Sequence, residues 1–85
     1  MEILLHPSFA KDFEKLDSTI RAKFFERKDL FITNPFHPLL NNHALSGEWA
    51  EHRSINVTGN FRAIFRPYGS LCVFVRIGTH PQLYG

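Results

Sequence analysis

The chain has 85 residues, of which 44% are hydrophobic and 21% charged. This balance is typical of a folded globular protein and excludes an intrinsically disordered chain. A chain of this length buries only a small core, so most of its apolar residues, including nine Phe, are needed to hold that core together. We therefore expect a single domain over residues 1–85.

The cysteine content and the N-terminus indicate a cytoplasmic protein. Cys72 is the only cysteine, so an internal disulfide cannot form. The first nine residues, MEILLHPSF, lack the basic and long apolar segments of a secretory signal, and no apolar run reaches membrane-spanning length. We expect a reducing, cytoplasmic setting and no association with a membrane.

The net charge of +2 is unevenly distributed along the chain. Residues 1–42 are neutral, whereas no acidic residue occurs from His52 onward and four Arg follow: Arg53, Arg62, Arg66 and Arg76. Guanidinium groups without compensating carboxylates attract polyanions and fit phosphate oxygens. The distribution favours nucleic acid as a partner, although four Arg that merely solvate a small sheet explain the charge equally well.

The first third of the chain predicts a short strand and two helices. A β-compatible run, EILLH, ends at Pro7, and Ser8 is a candidate N-cap for a brief helix. Its apolar positions, at helical spacing, are Phe9, Phe13 and Leu16. A second helix begins at Asp17 or Ser18 and ends by Asn34, because Pro35 disfavours a helical residue before it.

The remainder predicts a long connection followed by a sheet. Residues 34–51 contain Pro and Gly and are typical of an irregular connection that carries function. Strands are predicted at residues 52–57, 61–66 and 71–77, separated by the turn sequences TGN and PYGS. The predicted fold class is α+β, with an N-terminal helical hairpin packed on one face of a small antiparallel β-sheet.

Alternation along the strands predicts which side chains face the helices. The inward positions are Ile55, Val57, Phe61, Ala63, Phe65, Val73, Val75 and Ile77. The outward positions are Ser54, Asn56, Arg62, Ile64, Arg66, Cys72, Phe74 and Arg76. Arg53 has inward parity near a strand end, where an edge position or a snorkelling side chain is expected.

The turns then predict the register between strands. A three-residue turn at residues 58–60 pairs Asn56 with Arg62. Pairing Ala63 with Val75 places Arg62 beside Arg76. Adjacent Arg side chains destabilise a sheet unless an anion lies between them, so we predict an anion-binding row of Asn56, Arg62 and Arg76.

His80 and Tyr84 follow the last strand, where Gly78 allows the chain to turn back over this row. RNA cleavage by the neighbouring 2′-hydroxyl needs one proton acceptor, one proton donor and cations that stabilise the phosphorane. His80 is the first candidate for proton transfer because His ionises near neutral pH. Arg62 and Arg76 are candidates for binding the phosphate, and Tyr84 for stacking on a base or donating a proton.

Ordinary roles are open for each of these residues. His80 is also compatible with a plain surface position, Tyr84 with the edge of the core, and His43 with a loop that caps backbone groups. The five His show no metal-ligand spacing, and Cys72 lies within a predicted strand. We therefore expect neither a metal nor a cofactor.

Three patterns in the second half of the chain are specific when they occur together. They are H-x-L-x-G-x-W at residues 43–49, RSINVTGNFRAIF at residues 53–65, and R-x-G-T-H-x-x-L at residues 76–83, which is followed by Tyr84. With these patterns the chain resembles the RelE/ParE superfamily of bacterial type II toxins, most closely its YafQ-like branch. The resemblance covers nearly the whole chain and implies a RelE-like fold.

The resemblance implies an mRNA interferase, an endoribonuclease that enters the ribosomal A site and cuts the message without a metal. It also implies a cognate antitoxin that binds and neutralises the toxin. The toxin is expected to contact operator DNA only as part of the complex with this antitoxin. By position, His43 and His80 match catalytic His of YafQ-like toxins, and Arg76 matches their phosphate-contacting Arg. Tyr84 matches a C-terminal aromatic important to activity, and Arg62 an Arg used by RelE-like members.

Two positions depart from the YafQ-like pattern. Asn56 occupies the position of a third His, and Asn60 that of an Asp. Neither amide exchanges a proton near neutral pH, but both can hydrogen-bond to phosphate or ribose. We therefore expect Asn56, Asn60 and Arg66 to bind RNA, and His43 and His80 to carry the proton transfers, with weaker activity or an altered cutting preference.

Two other functions are compatible with the same sequence. One is a ParE-like toxin that inhibits DNA gyrase through its helical hairpin and C-terminus and needs no His. The other is a catalytically weakened homologue that binds only an antitoxin and operator DNA.

Overall fold

A five-stranded sheet packs against two helices in the computed structural model, which describes residues 1–85. The strands are β1 (Glu2–Leu5), β2 (His43–Ala44), β3 (Arg53–Asn56), β4 (Phe61–Tyr68) and β5 (Leu71–Thr79). The helices are α1 (Pro7–Glu14), α2 (Ser18–Thr33) and α3 (His80–Tyr84), and 3-10 turns lie at Pro38–Leu40 and Gly47–Trp49. The predicted α+β class, with a helical hairpin on one face of the sheet, is confirmed.

The sheet has the strand order β1-β5-β4-β3-β2. β1 is parallel to β5, and the other neighbours are antiparallel, so the sheet is mixed rather than purely antiparallel as predicted. The long connection between α2 and β3 contributes the short edge strand β2. None of the helices combines the length and the hydrophobicity that crossing a bilayer requires.

The two long helices begin at different kinds of cap. α2 starts as predicted, because the Asp17 carboxylate accepts a hydrogen bond from the Ile20 N–H at 3.0 Å. α1 starts one residue before the predicted cap, with Pro7 in its first turn and His6 Nδ1 accepting from the Ser8 N–H at 3.1 Å. Ser8 is therefore inside the helix and is free for a different bond.

That bond helps α1 to continue the pairing that β1 begins along the edge of β5. β1 ends at Leu5, opposite Phe74. Ser8 Oγ then donates to the Val75 carbonyl at 2.6 Å, and the Asp12 carboxylate accepts from the Ile77 N–H at 3.0 Å. Because these two side chains lie one turn apart on α1, the helix satisfies backbone groups that the strand no longer reaches.

The core between the helices and the sheet is centred on Phe74, which is fully buried. Its ring packs against four other Phe rings at centroid distances of 5.3–6.0 Å: Phe9, Phe24, Phe31 and Phe65. The buried cluster also contains Leu40, Ile55, Val57, Ala63, Cys72 and Ile77. Burial raises the pKa of the Cys72 thiol, which disfavours the reactive thiolate.

The predicted parity of β5 is wrong over most of the strand because of a β-bulge. Ile64 pairs with Arg76, but the next residue, Phe65, pairs with Phe74, so Val75 has no direct partner. One extra residue on one strand shifts the alternation by one position. As a result Cys72 and Phe74 are buried in the core, whereas Val73 and Val75, predicted inward, are only half-buried.

Arg53 has the inward parity that the sequence indicated, and the structure shows how it is accommodated. Its Nε donates to Asn42 Oδ1 at 2.8 Å, and its guanidinium lies over the Phe36 ring at 5.5 Å from the centroid. Both partners belong to the connection that covers this end of the sheet. Arg53 therefore anchors the connection to β3.

Candidate active site

A pocket of about 270 Å³ opens on the face of the sheet away from α1 and α2. Its walls come from β2, β3, β4, the Gly47–Trp49 turn and α3. It is lined by His43, Leu45, Ser46, Trp49, Ser54, Arg62, His80 and Tyr84. Four of the five residues predicted to be catalytic, His43, Arg62, His80 and Tyr84, thus lie in one pocket.

A second pocket of about 390 Å³ adjoins the first. Arg62 and His80 line both pockets, and the second also contains Asn60 and Gly59 of the β3–β4 turn. The two pockets form a groove from Trp49 to this turn, with Arg62 and His80 at its middle. No group of three or more His, Cys, Asp or Glu side chains is arranged to hold a metal ion.

The position of His80 depends on α3, a helix that was not predicted. Thr79 and Gln82 form a capping box, in which the Thr79 N–H donates to Gln82 Oε1 at 2.9 Å. The T-x-x-Q spacing of these residues was a signal for this helix in the sequence. His80 is exposed at the first turn, with its ring centroid 4.7 Å from that of Tyr84.

α3 lies close to the end of β5, and Gly78 permits this approach. A Cβ at position 78 would lie 2.9 Å from Gln82 Oε1 and 3.4 Å from Leu83 Cδ2. Gly78 is part of β5, so its role is close packing rather than the chain turn that we predicted. On the other side, Trp49 Nε1 donates to the Leu83 carbonyl at 3.3 Å and ties the helix to the connection.

Arg62 carries a positive charge that no carboxylate neutralises. Its Nη1 donates to the carbonyl oxygens of Thr58 and Gly59 at 3.0 and 3.1 Å, which holds the side chain over the turn. None of the ion pairs of the chain includes Arg62. An uncompensated guanidinium at the middle of a groove attracts an anion such as phosphate.

His43 is held in one tautomer by its backbone contact. Its Nδ1 lies 2.8 Å from the Asn41 carbonyl oxygen, which can only accept a hydrogen bond. Nδ1 therefore carries the hydrogen, and in the neutral ring Nε2 keeps its lone pair. This arrangement suits His43 to accept a proton at Nε2.

The predicted row of Asn56, Arg62 and Arg76 is wrong in its last member. Asn56 pairs with Arg62 as predicted, but Arg62 lies opposite Gly78, and Ala63 pairs with Ile77 instead of Val75. Arg76 points to a separate pocket of about 300 Å³, where its Nε donates to Asp12 Oδ2 at 2.6 Å. This hydrogen bond raises the pKa of the Arg76 guanidinium above its ordinary value.

Asp12→Asn is expected to lower the free energy of unfolding by about 1–2 kcal/mol. The Asp12 carboxylate accepts hydrogen bonds from Arg76 Nε, Arg76 Nη2 and the Ile77 N–H, and the amide keeps the shape but loses the charge. Urea unfolding measures the difference. Asp29→Asn, at an exposed position of α2, is the control. Equal midpoints for the two variants would show that the ion pair does not stabilise the fold.

The three residues predicted to bind RNA are in different environments. Asn60 lines the second pocket. Asn56 lines neither pocket of the groove, and its Oδ1 is buried without a hydrogen-bond partner. Arg66 lies outside the groove, paired with Glu51 at 3.0 Å and stacked over the Tyr68 ring at 5.0 Å.

Four residues of the first pocket were not among the predicted site residues: Leu45, Ser46, Trp49 and Ser54. Three of them had a signal in the sequence. Leu45 and Trp49 belong to the H-x-L-x-G-x-W pattern, and Ser54 has the same outward parity as Asn56. Ser54 is fully buried, and its Oγ has no hydrogen-bond partner.

Comparison with known families agrees with the resemblance found in the sequence. The family model described as a bacterial toxin of type II toxin-antitoxin systems, YafQ, matches residues 1–85. A search of curated proteins found no match.

Solved structures with the same fold include bacterial toxins. YafQ from E. coli strain BL21(DE3) has a TM-score of 0.85 and 25% identity, with 99% of this chain and 98% of that chain covered. A chain of the E. coli DinJ-YafQ toxin-antitoxin complex has a TM-score of 0.74 and 25% identity, covering 99% and 97%. The YoeB/ParE toxin from Agrobacterium tumefaciens has a TM-score of 0.78 and 22% identity, covering 94% and 99%, and shares the fold.

Proposed function

The chain belongs to the YafQ family of bacterial type II toxins, and from this membership we propose that it is a ribosome-dependent endoribonuclease that cuts translated mRNA. One observation carries the proposal: two His and an unpaired Arg, namely His43, His80 and Arg62, line a single pocket. A proton acceptor, a proton donor and a phosphate ligand are the groups that cleavage by a 2′-hydroxyl requires.

In the proposed reaction His43 Nε2 accepts the proton of the 2′-hydroxyl, whose oxygen attacks the adjacent phosphorus. The bond from phosphorus to the 5′-oxygen breaks, and His80 donates a proton to that oxygen. The products are a 2′,3′-cyclic phosphate and a 5′-hydroxyl. The nucleophile belongs to the substrate, so the reaction is independent of a metal and of a cofactor, and each positioned proton transfer contributes about 10²–10⁴-fold.

The Arg and Tyr side chains take different roles in this proposal. Arg62 holds the non-bridging phosphate oxygens and stabilises their charge in the transition state. Arg76, which is paired with Asp12, positions β5 and α1 instead of contacting the phosphate. Tyr84 packs against the ring of His80 and supports its orientation, and Asn60 extends the RNA contact along the groove.

The proposed partners follow from the same site and from the family. A cognate antitoxin protein binds and neutralises the toxin. The E. coli YafQ chain, which has the same fold, was solved in complex with its antitoxin DinJ. An acidic or apolar segment of such a protein suits a groove with an uncompensated Arg at its middle. Operator DNA is reached only through the antitoxin complex, and the substrate is mRNA in the A site of cytoplasmic ribosomes.

Mapping mRNA 5′ ends after brief induction tests the proposed function. We expect new ends at translated codons, in frame, with the wild-type protein and none with His80→Ala. The side chain of His80 is exposed, so the variant is expected to unfold at the wild-type temperature. Growth arrest with intact messages would contradict the nuclease and would favour gyrase inhibition, and toxicity that survives replacement of both His43 and His80 would do the same.

A further inference from the structure

Ser54 is the one residue of the first pocket that is fully buried, and its hydroxyl has no partner. Buried hydroxyl groups in folded proteins are nearly always hydrogen-bonded, because an unpaired one loses its water contacts without replacement. The hydroxyl is therefore available to a hydrogen-bond partner that enters the pocket.

The position of Ser54 indicates which atom of a bound RNA would form a hydrogen bond with its hydroxyl. In the β2–β3 register Ser54 lies directly opposite His43, and both side chains line the pocket. Side chains directly opposite each other in an antiparallel pair have Cβ atoms about 4.5–5.5 Å apart. The Ser54 hydroxyl is thus a close neighbour of the imidazole to which the proposed function assigns the 2′-hydroxyl proton.

We propose that Ser54 Oγ donates a hydrogen bond to the 2′-oxygen of the nucleotide on the 5′ side of the cleaved bond. This inference rests on the proposed function, because it places the same 2′-hydroxyl between His43 and Ser54. The 2′-hydroxyl directs its proton to His43 Nε2 while its oxygen accepts from Ser54. A contact of this kind distinguishes ribose from deoxyribose and fixes the attacking oxygen.

The inference is tested by binding, without cleavage. Trp49 is the only Trp of the chain and lines the same pocket, so its fluorescence reports occupancy. The probes are the four ribonucleoside 3′-monophosphates and their 2′-deoxy counterparts. We expect the wild-type protein to bind the preferred ribonucleotide about 3–10-fold more tightly than its deoxy form, as one hydrogen bond allows.

Ser54→Ala is expected to abolish this difference, because it lowers the affinity for the ribonucleotide and leaves the affinity for the deoxyribonucleotide unchanged. It should also unfold close to the wild-type temperature, since the Ser54 hydroxyl makes no hydrogen bond within the chain. Ser70→Ala, at the exposed turn between β4 and β5, is the control and should keep the wild-type difference.

Three results would overturn the inference: equal affinities for ribose and deoxyribose in the wild type, an unchanged difference in Ser54→Ala, or no binding of any ribonucleotide at millimolar concentration. Mapping of mRNA 5′ ends separates these from failure of the proposed function. If the protein makes in-frame cuts but Ser54→Ala leaves its ribose preference unchanged, the nuclease is supported and the Ser54 contact is wrong. If the ribose preference depends on Ser54 but the protein makes no cuts, the contact is supported and the nuclease is wrong.

Discussion

Arg62→Ala is expected to lower the rate of ribosome-dependent mRNA cleavage by about 10²–10³-fold, as removal of a preorganised donor to a developing negative charge does elsewhere. Arg66→Ala is expected to leave the rate close to that of the wild type. The two Arg lie on the same strand and differ in their surroundings. Arg62 lines the groove without a carboxylate partner, whereas Arg66 is paired with Glu51 outside it.

The measurement is the fraction of a translated message that is cut by purified protein in the presence of ribosomes. Arg62→Lys keeps the charge but not the planar fork of donors, so an intermediate rate is expected. Because Arg62 also donates to the Thr58 and Gly59 carbonyls, thermal unfolding of each variant is needed to separate loss of chemistry from loss of the turn.

The paired substitution also distinguishes two explanations of the positive second half of the chain. If Arg66→Ala lowers cleavage as much as Arg62→Ala, the Arg act together as a diffuse field that attracts RNA, and a phosphate site at Arg62 is wrong. A steep loss of activity with salt in both variants would accompany that result, because a field of exposed charges is screened.

Local signals were sufficient to predict the parts of the fold that local interactions determine. The start of α2 is set by the Asp17 side chain, which accepts a hydrogen bond from the N–H three residues further on. Its end is set by Pro35, which lies two residues after the last helical residue, Thr33. The pairing of Asn56 with Arg62 depends only on the length of the turn between them. Arg62, His80 and Tyr84 were predicted as site residues from strand parity and chain direction, and His43 from the family resemblance; all four line one pocket.

The errors lie where distant segments decide the structure. The bulge at Val75 coincides with the point where β5 changes partners from β1 to α1, and no pattern within residues 71–79 encodes that change. Arg76 was predicted to bind an anionic ligand. Its guanidinium instead donates a hydrogen bond to the carboxylate of Asp12, which is 64 positions away in the sequence. Ser54 was placed on the correct face, but its full burial and the pocket that it shares with residues of the connection and α3 depend on segments distant in the sequence.

Phe74→Ala is expected to lower the free energy of unfolding by about 3–5 kcal/mol. The side chain is fully buried and contacts four other Phe rings, so its removal leaves a cavity that the surrounding rings cannot fill without leaving their packed positions. Small domains have only about 5–15 kcal/mol of stability in total, so this variant approaches unfolding at growth temperature.

Val73→Ala provides the matched comparison, because simple alternation along β5 predicts the reverse order of the two effects. Val73 is half-buried on the other face, so its truncation is expected to cost about 1 kcal/mol or less. Phe74→Leu, which keeps most of the apolar volume, is expected to fall between the two. Urea unfolding of the three variants measures these differences. A larger loss for Val73→Ala than for Phe74→Ala would mean that β5 has no bulge at Val75 and that Val73, not Phe74, faces the core.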